Sequence, residues 1–128
     1  MKKIFLLSFF LFIPALILHA QTTVTFNIDL KAMMKDSTFI PGQDFIQVTG
    51  SLYPLGNRRA VRLKDEEPVD SVFTAEVEFS RRNNDENLKF NFEIVKPDEL
   101  ISEKGRRTIT LTGQNIIIPP VGFNSFVR

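Results

Sequence analysis

Cysteine and tryptophan are absent from this chain, and it has one histidine, His19. Without cysteine there is no disulfide framework, no lipid anchor on an N-terminal cysteine, and no thiol nucleophile. His-dependent triads and His/Cys zinc sets would need His19, which lies in a segment expected to be removed. No glycine-rich, phosphate-cradling loop is present either. Carboxylates, lysines, arginines, hydroxyls and the single tyrosine, Tyr53, are what remains for chemistry.

Lys2 and Lys3 precede the apolar run "IFLLSFFLFIPALIL", Ile4 to Leu18, which ends at His19-Ala20-Gln21. A basic start, an apolar stretch and a small residue before the cut are the order of a secretory signal peptide. The run falls short of the roughly 20 residues a spanning helix wants and contains Pro14. The expectation is a signal peptide over 1–20 and one domain over 21–128, with no membrane span after cleavage. The location is then extracytoplasmic, either periplasmic or fully secreted. Of the 16 Lys and Arg, two leave with the leader, and the rest nearly balance 15 Asp and Glu. No overall field draws the mature chain to nucleic acid.

Phe26, Ile28 and Leu30 alternate with Asn27 and Asp29, the period-2 pattern of a half-buried strand. The pattern returns at Ile46 and Val48, at Val61 and Leu63, at Phe73 to Phe79, and at Leu88 to Ile94. "RTITLT" and "NIIIP" bring the total to about seven strands, separated by turn clusters such as "LGN", "RRNNDEN" and "KPDELISEKG". Only "LKAMMKD" suits a helical turn. The predicted fold is all-β, an antiparallel immunoglobulin-like β-sandwich with Phe26, Phe73, Phe79, Phe90 and Phe92 in its core. Pro119-Pro120 should end the last apolar strand.

"VTGSLYPLGN", Val48 to Asn57, followed by "AVRL", resembles the Gly-Ser-x-x-x-Leu-Gly-Asn-Trp turn of the starch-binding domains, carbohydrate-binding module family 20. "LKFNFEIVK" is similar to the family's Tyr-Lys-Phe strand, with Lys89-Phe90 at the matching positions, and "GRRTITLTG" to its Asn-Arg-Thr segment, with Arg107-Thr108. The resemblance runs in order through nearly all of the mature chain and implies a starch-binding-like sandwich with a sugar site. The two stacking tryptophans of that site fall at Arg58 and Ile101 here. Its Asn falls at Arg106, the acidic neighbour of the second tryptophan at Ser102, and a secondary-site tyrosine at Gln47. Lys89 survives. Function belongs to a site and not to a fold, so these departures point from a neutral stacking platform to a cationic one built from Arg58, Lys89 and Arg106, with Tyr53 beside it.

The other constellations are weaker. Asp65, Glu66, Glu67 and Asp70 in "KDEEPVD" fit no EF-hand spacing, and one short turn offers no cleft for paired-carboxylate chemistry. No catalytic residue, metal ligand or cofactor is expected. Two readings stay open: a non-catalytic carbohydrate-binding module, for an acidic glycan in preference to starch, or a structural or protein-interaction sandwich that has lost its sugar site. Mass spectrometry of exported protein should find a mature chain beginning at or next to Gln21; an intact Met1 terminus would contradict the leader.

Overall fold

Strand β1, Thr22–Asp29, buries every second residue, Thr22 through Ile28, as the alternation requires. The computed structural model describes residues 21–57, 59–66 and 69–125; the expected signal peptide and Arg58 lie outside them. After β1 come a short helix α1 (Lys31–Lys35), β2 (Phe45–Gly50), β3 (Ala60–Leu63) and β4 (Val72–Phe79). A 3-10 turn (Arg81–Asn83) leads into β5 (Asn87–Val95), β6 (Leu100–Ser102), β7 (Arg107–Thr110), β8 (Ile116–Ile117) and β9 (Val121–Gly122).

These strands form two sheets, an all-β sandwich. One has the order β4-β1-β8, with β9 also paired to β1; the other runs β3-β2-β5-β6, with β7 also on β5. The core lies between them. Phe26 of the first sheet meets Phe90 and Phe92 of the second edge to face, at 5.0 and 6.4 Å between ring centroids, a favoured geometry for aromatic quadrupoles. Phe79 is likewise buried, and Phe73 is partly buried against Phe39. The core assignment made from the sequence holds for Phe26, Phe79, Phe90 and Phe92, while Phe73 packs at the margin of the core and stays partly exposed.

Two expectations need correction. The described residues hold nine strands, because β6 falls inside the segment read as a turn cluster and β9 follows Pro119-Pro120. The pairing is also not wholly antiparallel: β8 and β9 run parallel to β1, with Val24 opposite Ile116 and Ile28 opposite Val121. Two-residue strands carry no period long enough to read, and alternation marks faces without marking direction.

The segment between α1 and β2 is held by charge. Asp44, just before β2, meets Lys96, just after β5, at 2.6 Å, and Lys96 also donates to the Thr38 carbonyl at 2.8 Å. The Lys96 hydrogen bond, with further ones from the Ile40 amide and Gln43, holds the Asp44 carboxyl below its ordinary 3.8 against the opposing effect of burial.

Phe90→Ala should cost about 3–5 kcal/mol in denaturant unfolding, through lost transfer energy plus a cavity. A lowered carboxyl pKa contributes stability that is present above the unfolded value and is lost as pH falls through the folded one. The Tm advantage of wild type over Asp44→Asn should therefore hold at neutral pH and shrink below about pH 4. An advantage that grows in acid would contradict the pairing.

Candidate functional site

The turn after β2 is fixed from both sides. Gly50 sits so close to β5 that an added Cβ would lie 3.0 Å from the Lys89 carbonyl and 3.1 Å from Leu55 Cδ1, so glycine is required by close approach. Gly56 has no such constraint; the left-handed residue of this turn is Asn57, at φ 56°. Leu55 is fully buried and plugs the end of the core. The Gly-Ser and Leu-Gly-Asn pieces thus shape a turn whose leucine belongs to the interior.

Ser51 clamps this turn to β5. Its amide donates to the Lys89 carbonyl at 2.9 Å, and its Oγ accepts from the Lys89 amide at 3.1 Å. Lys89 alternates with buried Leu88 and Phe90, so its side chain stands on the outer face of the five-stranded sheet, opposite Thr108 of β7. Arg106, immediately before β7, is exposed and continues the alternation of that strand, two residues along from Thr108. The two cations share one face, and among the described residues no carboxylate pairs with either. Tyr53, 69% exposed, lies in the clamped turn with the Arg59 guanidinium 5.0 Å from its ring centroid. Such stacking offers a flat amphipathic surface with unspent N–H donors at its edge.

Not every position named from the sequence joins this group. Ile101 pairs with Ile94 across β5 and β6 and packs against the core, so it presents nothing to a ligand. Its neighbour Ser102 points outward and donates to Glu93 at 2.9 Å, and Gln47 donates to the same carboxylate at 2.8 Å. Those two polar groups brace each other across three strands. Arg59 was missed as a partner of Tyr53 because nothing in the sequence marks that its side chain turns toward the ring.

Arg107 is architectural. It forks onto Glu103 through Nε at 3.1 Å and Nη2 at 2.6 Å, and Nη2 also donates to the Gly122 carbonyl at 3.1 Å. Glu103 is 5% exposed and accepts two further bonds, from the Phe92 and Asn124 amides at 3.1 and 2.8 Å. A buried carboxylate is tolerated only when paired and bonded in this way.

Among the described residues no group of three or more carboxylates could hold a metal ion, and no helix is long and apolar enough to cross a membrane. In "KDEEPVD" the Asp65 oxygens accept from the Ser71 and Asp70 amides at 2.9 and 3.3 Å, the work of a turn-forming aspartate. No protein-family model matches the chain, and no curated protein matches it.

The adjacent arginines should behave in opposite ways. Arg107→Ala leaves a buried charge unpaired and should cost about 3–5 kcal/mol of unfolding free energy. Arg106→Ala should stay within about 0.5 kcal/mol of wild type. Equal costs would mean that Arg106 is also a structural residue.

Proposed function

We propose that this protein is an extracytoplasmic, non-catalytic carbohydrate-binding module that takes an acidic glycan through Tyr53, Lys89 and Arg106, with Arg58 completing the cationic set. The observation that carries the reading is the pair of outward-facing cations, Lys89 and Arg106, without carboxylate partners among the described residues, next to a turn that Ser51 pins to Lys89. Arginine forks and lysine point charges suit uronate carboxylates or sulfates. The exposed Tyr53 ring supplies a flat apolar surface for sugar C–H groups. The starch-binding-like turn and the Lys89-Phe90 strand favour a glycan over other anions.

One observation favours the second reading, a protein-interaction module. Phe45, 40% exposed, Val95 and the 55% exposed Leu100 line up across β2, β5 and β6 on this same outer face. A strip of that kind suits a protein partner.

Titration of a polyuronate oligosaccharide and of maltoheptaose separates the readings. The polyuronate should bind more tightly. Its affinity should fall as salt shortens the Debye length below about 10 Å, since exposed charge pairs are screened. Lys89→Ala with Arg106→Ala should abolish that preference. Tight, salt-insensitive maltoheptaose binding would overturn the cationic site, and no binding of either sugar would favour the protein-interaction reading.

A further inference from the structure

A cleft of about 430 Å³ opens at the opposite end of the sandwich from the Lys89 turn. That volume lies within the range of small-molecule pockets, roughly 300–1,000 Å³. Its floor is apolar: Met34 of α1, Ile46, Leu63, and the edge-to-face pair Phe39 and Phe73, 5.4 Å between centroids. Val69, 75% exposed, and Phe45 stand at the mouth. Large apolar side chains left open to water around a concave apolar floor mark a site for an apolar ligand body.

The polar groups of the cleft fix the sign of the head group. Asp44 and Asp65 line it, but the Asp44 oxygens are taken by Lys96, Ile40 and Gln43, and those of Asp65 by the Ser71 and Asp70 amides. The cations Arg62 and Lys64 have no carboxylate within salt-bridge distance among the described residues. Arg62 sits over the Phe45 ring, its Cζ 3.6 Å from the centroid, a contact that restrains the guanidinium and leaves it N–H groups to fork onto an oxyanion. Both cations also border a neighbouring depression with Glu66 and Glu76, and Arg62 is the anchor because the Phe45 ring at the mouth of the cleft holds its guanidinium in place. We propose that this cleft binds a small amphipathic carboxylate, an aliphatic chain of medium length with its chain over Met34, Phe39 and Phe73 and its head group on Arg62.

The probes are octanoate and the uncharged octan-1-ol, followed by amide chemical shifts of the purified protein. Octanoate should move the amides of Met34, Phe39, Val69 and Phe73 while leaving those of Lys89 and Arg106 in place, and it should bind about fivefold more tightly than octan-1-ol, the worth of one exposed charge contact. Arg62→Gln, an exposed change that leaves the fold intact, should bring octanoate down to the level of octan-1-ol. Met34→Trp should fill the cleft and remove both. Equal binding of the two probes, an unaffected Arg62→Gln variant, or shifts confined to residues outside the cleft would overturn the proposal. The glycan site is tested at different residues, so the two can fail separately.

Discussion

The carboxylate of Glu103 is the polar constraint on which the arrangement of the two sheets and of the outer face depends. It is buried beside β5 and takes four hydrogen bonds, two from Arg107 and one each from the Phe92 and Asn124 amides. Desolvating a carboxylate costs several kcal/mol, and only a full set of charged and backbone donors makes it tolerable. The groups bonded in this network come from both layers. Phe92 and Arg107 belong to the five-stranded sheet, while Gly122, which accepts from Arg107, is in β9 and pairs with β1 in the other. The apolar interface of Phe26, Phe90 and Phe92 drives the sheets together without direction, and the ion pair sets where the C-terminal segment docks.

This constraint reaches the candidate glycan site through parity. With Arg107 turned inward to Glu103, its neighbours Arg106 and Thr108 turn outward, beside Lys89. Lys89 itself is outward because Leu88 and Phe90 are needed in the core. Ser51 then fixes the Tyr53 turn against the same strand. The cationic face is therefore a by-product of core demands on either side of each cation.

Strands with one buried face could be read directly from the residues: β1, β2 and β5 alternate because every second side chain must leave water. The same alternation leaves Lys89 on the outer face of β5. It has nothing to work on where parity has no local marker. Arg106 and Arg107 are chemically identical, and only a glutamate four residues upstream, itself in an apparent turn cluster, decides which is inward. Ile101 faces the core because a hairpin closed by the Lys96 amide on the Glu99 carbonyl brings it opposite Ile94, a register invisible in "KPDELISEKG". The parallel placement of β8 and β9 depends on long-range pairing to β1, which two-residue segments cannot announce.

The most direct test of the account is a double-mutant cycle in which the unfolding free energies of Glu103→Gln, Arg107→Met and the double variant are measured at neutral pH. If the buried pair is the tie between the sheets, each single change is strongly destabilising and the double variant recovers much of the loss, with a coupling energy of about 2–3 kcal/mol. Additive effects, within about 0.5 kcal/mol, would contradict it and leave the docking of the C-terminal segment to apolar packing alone.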